Sequence, residues 1–204
     1  MIDNPDWLPP MILASASPRR RELLQRIGLD FKVLVREVDE HIPDGTDPAE
    51  AVQALSRLKG AAVALENPSS LVISADTIVV LDGQILGKPG SPEEAERMLA
   101  SLSGRWHRVY TGYALHLLDH VRPVESDQQS CDVRFHSLSA AQIRQYVASG
   151  EPMDKAGAYG IQDLGALLVQ ELRGDYFTVM GLPVSRLYRH LLEFCASHAP
   201  KSTE

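Results

Sequence analysis

The sequence predicts an α/β fold with a mixed sheet, and three observations support this prediction. Short apolar runs typical of strands alternate with capped, amphipathic helical segments. A hairpin signal at Asp82-Gly83 lies within this interleaved order, which favours antiparallel pairs beside parallel ones. No repeat, low-complexity tract or linker divides the 204 residues. We therefore expect an extended tail at 1–10, one domain at 11–197 and a polar tail at 198–204.

Capping residues and turn residues justify the individual elements. Ser17 with Pro18, and Asp47 with Pro48, have the form of an N-cap followed by a first-turn proline. The predicted elements are, in chain order, a strand at 11–15, a helix from Ser17 to Gly28, a strand at 31–38, a helix from Asp47 to about Glu66, a strand at 71–75, a hairpin at 77–86, a helix from Ser91 to Gly104, strands at 109–118 and 131–135, a helix at 139–149, an irregular segment at 150–165, strands at 166–171 and 176–180, and a helix at 184–196.

The composition narrows the class of protein. The net charge of −7 argues against binding to nucleic acid or anionic membranes. The apolar runs are too short to cross a bilayer and the first 20 residues show no secretory signal, so we expect a cytoplasmic protein. Cys131 and Cys195 are too few for a disulfide framework or a zinc site, and we expect His116 and His120 at the surface. The sequence lacks the kinase phosphate loop, the dinucleotide glycine motif, HExxH and GxSxG.

A basic turn follows the first predicted strand. Arg19, Arg20 and Arg21 lie at the start of a helix, whose N-terminus already carries partial positive charge. This placement suits an anion site in which free N–H groups and guanidinium groups converge on phosphate. Helical spacing puts Arg20 on the core side, with Arg19 beside it. A plain solvated basic turn is the alternative.

Two acids and two further cations could complete such a site. Lys59 lies on an otherwise apolar helical stripe, although the side chain could instead snorkel at the edge of the core. Asp76 ends an apolar strand, where α/β folds place catalytic groups, or it caps a turn. Glu40 and Lys88 lie in loops, and spacing alone does not show that Glu40 meets Asp76. Carboxylates that hold a divalent ion and activate water, with cations around phosphate, suit metal-assisted phosphoryl chemistry.

The glycine-rich segment 154–162 is a fourth candidate. Its small residues would let the backbone approach a ligand closely, and the amide of Gln162 can pair with the edge of a base. An ordinary turn is the alternative.

Eight short motifs occur in a fixed order along the chain. They are Leu-Ala-Ser-Ala-Ser-Pro-Arg-Arg (13–20), Val-Asp-Glu (38–40), Ser-Arg-Leu-Lys (56–59), Ser-Ala-Asp-Thr-Ile-Val (74–79), Gly-Lys-Pro (87–89), Leu-Ser-Gly-Arg-Trp-His-Arg-Val-Tyr-Thr-Gly (102–112), Asp-Lys-Ala-Gly-Ala-Tyr-Gly-Ile-Gln (154–162) and Val-Met-Gly-Leu-Pro-Val (179–184). Together they resemble the Maf family of nucleoside triphosphate pyrophosphatases, from Met11 to about Glu193.

The resemblance implies hydrolysis of a nucleotide between its α and β phosphates, with a divalent cation (Mg²⁺ or Mn²⁺) required. It also implies an elongated, curved mixed sheet flanked by helices, similar to inosine triphosphate pyrophosphatases, and a homodimer. Asp76 would be the base for the attacking water, and Glu40 and Asp76 the metal ligands. The other implied roles are phosphate binding by Ser15, Arg19, Arg20, Lys59 and Lys88, and substrate choice by Arg19, Thr77 and Gln162.

The form of segment 154–162 resembles the branch of the family that acts on dTTP and UTP, so we expect a pyrimidine nucleotide. Asp163 stands where the family usually has glycine, and it would add bulk and negative charge beside the expected base pocket. Two alternatives stay open. One is a nucleotide-binding regulator of cell division (septum formation) without turnover, and the other is a pyrophosphatase for a purine or modified nucleotide.

Overall fold

Seven strands form one mixed sheet in the computed structural model, which describes residues 8–43, 45–117 and 124–198. The strands are β1 (Met11–Leu13), β2 (Phe31–Val33), β3 (Leu71–Leu81), β4 (Gln84–Leu86), β5 (Trp106–His116), β6 (Glu125–Phe135) and β7 (Val169–Gly174). Their order is β2-β1-β3-β5-β6-β7, with β4 paired to β3. β1 is parallel to β2 and β3 and the other pairs are antiparallel, which confirms the predicted mixed sheet. Most of the two expected tails lies outside the described residues.

The described helices are α1 (Pro18–Arg26), α2 (Pro48–Ala64), α3 (Pro92–Leu102), α4 (Ala140–Ala148), α5 (Tyr176–Met180) and α6 (Val184–His198), with three 3-10 segments at Glu151–Asp154, Ala156–Ala158 and Asp163–Leu168. The first four begin directly after their predicted first residues, Ser17, Asp47, Ser91 and Ser139. Ser17 Oγ accepts from the N–H of Arg20, and Asp47 Oδ1 accepts from the N–H groups of Ala49 and Glu50. These bonds satisfy N–H groups that a helix start leaves unpaired.

The strand predicted at 131–135 begins six residues earlier, at Glu125, because β5 pairs with it along this whole length. Two other predicted strands are also wrong in extent. The strand predicted at 31–38 ends at Val33, because its neighbour β1 offers partners for three residues only. The strand predicted at 166–171 begins at Val169, after the third 3-10 segment. Both lie at the edges of the sheet, where a strand has one neighbour to define its length.

The strand predicted at 176–180 is wrong in type, because these residues form helix α5. Asp175 caps the helix, since its Oδ2 accepts from the N–H of Thr178 at 2.8 Å and from the hydroxyl of Thr178 at 2.9 Å. Gly181 ends it with a φ of +110°, a conformation that glycine adopts without steric cost.

β3 is one continuous strand of 11 residues, although the sequence predicts a strand that stops at Ala75. Asp76 therefore lies in the middle of a strand and not at its end. β1 pairs with β3 as far as Ile73, and β4 begins to pair at Val79. Between them lies a sheet gap, Ser74–Ile78, where β3 has β5 on one side and no strand of the described residues on the other. Successive side chains of a strand point to opposite faces, so both faces of β3 can be reached from this gap.

Buried apolar side chains pack on both faces of the sheet. α1 and α6 cover one face, through residues such as Leu23 and Leu187, and α2 covers the other, where Val52 packs with Ile78. Cys131 and Cys195 are both unpaired, so the expectation that no disulfide forms is confirmed for them. None of the described helices is long and apolar enough to span a membrane.

Two histidines are buried as neutral rings. The expectation that His116 lies at the surface is wrong, because it is 0% exposed, while His120 lies outside the described residues. The ring of His116 packs against Gly60 of α2, because a Cβ added to Gly60 would lie 2.5 Å from His116 Nδ1. Burial lowers the pKa of His116 to about 4, and burial likewise lowers the pKa of His107 to about 4.

We expect the free energy of unfolding to fall as the pH is lowered from about 6.5 to about 4. The unfolded chain binds protons on these histidines in this window and the folded chain does not. The free energy of unfolding is therefore highest above pH 6.5 and falls by up to about 3 kcal/mol for each ring as the pH reaches about 4. Urea unfolding at several pH values measures the slope. His116→Gln should flatten it and the exposed control His136→Gln should not. An unchanged slope in His116→Gln would contradict the prediction.

Candidate active site

A cavity of about 680 Å³ opens at the sheet gap. Its walls come from the β1–α1 turn, the β2–α2 loop, α2, the middle of β3, the β4–α3 loop, the first two 3-10 segments and the α5–α6 turn. The charged residues of the lining are six cations, Arg19, Arg20, Arg36, Lys59, Lys88 and Lys155, and three carboxylates, Glu40, Asp76 and Asp154. In a chain of net charge −7, this local excess of positive charge suits a polyanionic ligand.

Lys59 joins the two predicted acids. Its Nζ lies 2.5 Å from Asp76 Oδ1 and 2.7 Å from Glu40 Oε2. The side chains of Lys59 and Asp76 are 18% and 12% exposed, so solvent screens this pair weakly. Glu40 is more open, with 55% of its side chain exposed. Lys59 is therefore an ion-paired cavity residue, and the two acids that spacing alone could not connect do meet.

The pair of acids fits a hard divalent cation. Carboxylate oxygens are preferred ligands of Mg²⁺, which commonly takes one or two of them and completes its coordination with phosphate oxygens and water. Within the described ranges, no group of three or more His, Cys, Asp or Glu residues forms a complete protein site for a metal. Glu40 and Asp76 therefore suit an ion that arrives with, or is completed by, a phosphate ligand.

Arg20 links three walls of the cavity. Its Nε donates to the carbonyl of Gly181 at 2.8 Å, its Nη1 to Ser15 Oγ at 3.0 Å and its Nη2 to Thr77 Oγ1 at 3.1 Å. Burial lowers the pKa of this guanidinium from its ordinary value, although the nearby Asp76 carboxylate opposes the shift. Three of its five N–H donors are used in these contacts, so two remain for a ligand.

Arg19, Ser15 and Lys88 keep donors free for an anion. Arg19 lines the cavity and forms no hydrogen bond or ion pair with any residue that the structure describes. Ser15 Oγ accepts from Arg20 and from the N–H of Ser17, which leaves its own O–H to donate. Lys88 is exposed and has no ion-pair partner in the described part of the chain. The basic turn and Lys88 thus have the free donors that an anion site requires.

Lys155 and Tyr159 line the cavity, although the sequence does not single them out. Lys155 Nζ lies 2.6 Å from Asp154 Oδ1. The hydroxyl of Tyr159 is 2.7 Å from His107 Nε2, and its ring packs edge-on against Phe135. The only signal in the sequence is that a lysine and a tyrosine interrupt a run of small residues, a pattern that turns share.

Gln162 is half-buried and does not line the cavity, so the structure does not bring it together with the other predicted site residues. The next residue, Asp163, is exposed and has a φ of +54°. Glycine adopts this left-handed conformation freely, and Asp tolerates it better than most residues, which explains how either can stand there. Asp163 does not line the cavity either, and its effect on a base pocket stays a prediction.

The fold and the cavity together define an α/β protein whose cavity suits a polyanion beside a pair of carboxylates. A family model described as Maf-like protein matches residues 10–194. The chain belongs to the Maf family.

Three relatives share about half of their residues with this chain, and all three are named dTTP/UTP pyrophosphatase. That of Symbiobacterium thermophilum is 50% identical over 186 residues, which cover 90% of this chain and 93% of the relative. That of Halalkalibacterium halodurans is 48% identical over 182 residues, covering 89% and 94%. That of Bacillus cereus (strain AH820) is 46% identical over 184 residues, covering 90% and 95%. These matches extend over nearly the whole of both chains.

Solved structures also align with this chain at low sequence identity. A HAM1 protein from Coxiella burnetii is 13% identical with a TM-score of 0.49, covering 91% of this chain and 100% of its own. A nucleoside-triphosphatase / dITP/XTP pyrophosphatase from Mycobacterium abscessus is 12% identical with a TM-score of 0.45, covering 95% and 100%.

Proposed function

We propose that this protein hydrolyses dTTP and UTP between the α and β phosphates and releases a nucleoside monophosphate and pyrophosphate. The observation that carries the proposal is the contact of Lys59 with both Glu40 and Asp76 inside a cavity rich in cations. The relatives named dTTP/UTP pyrophosphatase support the choice of substrate.

Asp76 is the group that we assign as the base for the attacking water. It lies on a rigid strand, and Lys59 holds its Oδ1. Its Oδ2 forms no hydrogen bond with a described residue, so this oxygen is available to orient a water and accept its proton. Glu40 is more exposed and belongs to a loop, which makes it the less constrained of the two acids.

The cations have a separate task. Charge develops on the leaving pyrophosphate, and preorganised donors that face it lower the barrier. Arg19, Lys88 and the two free N–H groups of Arg20 are the donors that we assign to the phosphates, with the hydroxyl of Ser15. Mg²⁺ or Mn²⁺, held by Glu40 and Asp76, would supply a Lewis acid that polarises the phosphoryl group. Thr77 and Arg19 line the cavity and are our candidates for substrate choice, while the same role for Gln162 stays a prediction from the resemblance, because Gln162 does not line the cavity.

The proposal includes a cytoplasmic homodimer without a nucleic-acid or membrane partner. The acidic net charge of −7 supports the last part, because it repels phosphate backbones and anionic lipids outside the cavity. Light scattering on the purified protein tests the dimer.

We expect pyrophosphate from dTTP and UTP in the presence of Mg²⁺ or Mn²⁺, and none in excess EDTA, with activity returning when the cation is restored. The measurement is pyrophosphate release across dTTP, UTP, CTP, dATP, GTP and 7-methyl-GTP, with orthophosphate measured in parallel. Orthophosphate as the first product would contradict cleavage between the α and β phosphates. Turnover of another nucleotide alone would keep the chemistry and replace the substrate. Binding without any turnover would support the regulator of septum formation instead.

A further inference from the structure

A row of hydroxyl groups runs from the cavity into the protein behind Thr77. Arg20 Nη2 donates to Thr77 Oγ1 at 3.1 Å, and Thr77 Oγ1 lies 2.8 Å from Thr111 Oγ1. Thr111 in turn donates to the carbonyl of Thr178 at 2.7 Å. Thr111 is 0% exposed and does not line the cavity, so any effect that it has on a ligand passes through Thr77.

Counting the protons fixes the direction of each hydrogen bond in this row. The carbonyl of Thr178 has no proton to give, so Thr111 donates its single hydroxyl proton there. Thr111 can then only accept from Thr77, which donates its own proton in turn. A guanidinium has no acceptor, so Thr77 accepts from Arg20 as well. Towards the cavity, Thr77 therefore presents one remaining lone pair and no proton.

We propose that Thr111 is a positioning residue that leaves Thr77 able only to accept a hydrogen bond from the ligand, so that the cavity selects a nucleoside with an N–H donor at this point. The inference rests on the proposed function, because it concerns the choice among nucleotides. If the ligand placed an acceptor against Thr77, neither Thr77 Oγ1 nor the ligand atom would have a proton to share, and both would be desolvated without a hydrogen bond. This costs more binding free energy than the absence of a contact.

The base of a pyrimidine nucleotide can supply the donor. Uracil and thymine share an imide N–H at N3, whereas cytosine has an acceptor at that ring position. A sugar hydroxyl both donates and accepts, so it can bond to Thr77 in either direction and is not selected by the orientation of the Thr77 proton. A Thr77 that faces the base therefore discriminates UTP from CTP and dTTP from dCTP.

The experiment changes the direction of the hydrogen bond without changing the shape of the side chain. Thr111→Val removes the hydroxyl and frees the proton of Thr77 to turn towards the ligand, whereas the matched control Thr111→Ser keeps the acceptor. Calorimetry gives the affinities for the α,β-methylene analogues of UTP, CTP, dTTP and dCTP with Mg²⁺. We expect the affinity ratios of UTP to CTP and of dTTP to dCTP to fall about tenfold in Thr111→Val and to stay unchanged in Thr111→Ser.

A fall in both ratios identifies N3–H of the base as the donor that Thr77 accepts from. A merely structural Thr111 would weaken all four analogues by one factor and leave both ratios intact, which overturns the inference. A wild-type protein that discriminates within neither pair also overturns it. Failure of the proposed function is distinguishable, because it shows as absent pyrophosphate release while the affinities are still measured. Should Thr111→Val fail to fold, Thr77→Val must lower the same affinity ratios, and Thr77→Ser must leave them unchanged.

Discussion

Asp76→Asn should lower kcat for pyrophosphate release from dTTP by about a thousandfold, which is the middle of the range for general-base catalysis. Asparagine has nearly the same shape, but its amide takes no proton from water at neutral pH. Lys59 would keep Glu40 as a partner 2.7 Å away, so the ammonium would not be left without a counter-charge. Steady-state kinetics measures the loss of activity, and urea unfolding shows whether the fold is retained.

The matched control for this variant is Asp82→Asn. Asp82 is also paired with a cation, since its Oδ2 lies 2.6 Å from Arg105, but it belongs to the β3–β4 turn and does not line the cavity. Its φ of +51° is one that asparagine tolerates, so the turn should survive. We expect normal turnover in this control. If Asp76→Asn also kept its turnover within tenfold of wild type, Asp76 would not be the base.

Gly165→Ala should lower the free energy of unfolding by about 3 kcal/mol, at the upper end of what overpacking costs. An added Cβ would lie 2.0 Å from the carbonyl oxygen of Gly160 and 2.8 Å from Tyr146 Oη. Neither neighbour can yield easily, because one is backbone and the other donates to Glu151 at 2.9 Å. The backbone that follows the cavity wall would have to move, so substrate affinity should fall as well.

Gly87→Ala is the control for this effect, because a Cβ there would have no neighbour within 4 Å. It should change the free energy of unfolding by less than about 0.5 kcal/mol. Urea unfolding of both variants under one set of conditions gives the comparison. Equal midpoints would mean that the contact between Gly160 and Gly165 adapts to a methyl group without cost.

The parts of the site that the sequence predicts are those with a local physical signal. Ser17 and Asp47 mark helix starts because the first N–H groups of a helix need acceptors, and the structure shows both caps. Lys59 attracts attention because an ammonium stands on an apolar stripe, and the ion pairs explain it. A charged residue at a position where the helical pattern predicts an apolar one can be recognised from the sequence alone.

Other features depend on tertiary contacts that leave no local signal. Asp76 reads as the end of a strand because a carboxylate interrupts apolar residues, yet pairing with β5 carries the strand straight through it. Residues 176–180 contain the aromatic and β-branched types that favour strands, but the Asp175 cap and Gly181 make them helical. Thr111 cannot be told from any other buried strand residue until its two hydrogen-bond partners, Thr77 and Thr178, are placed beside it.

The sheet gap has a consequence for how such a protein can change over generations. Asp76 and Thr77 are consecutive, so the first meets Lys59 on the α2 side of the sheet while the second meets Arg20 and Thr111 on the other. Substitutions behind Thr77 touch none of the side chains that hold Asp76. With the roles proposed for these two residues, a lineage can alter the choice of nucleotide behind Thr77 while the side chain that holds the assigned base, Asp76, stays unchanged.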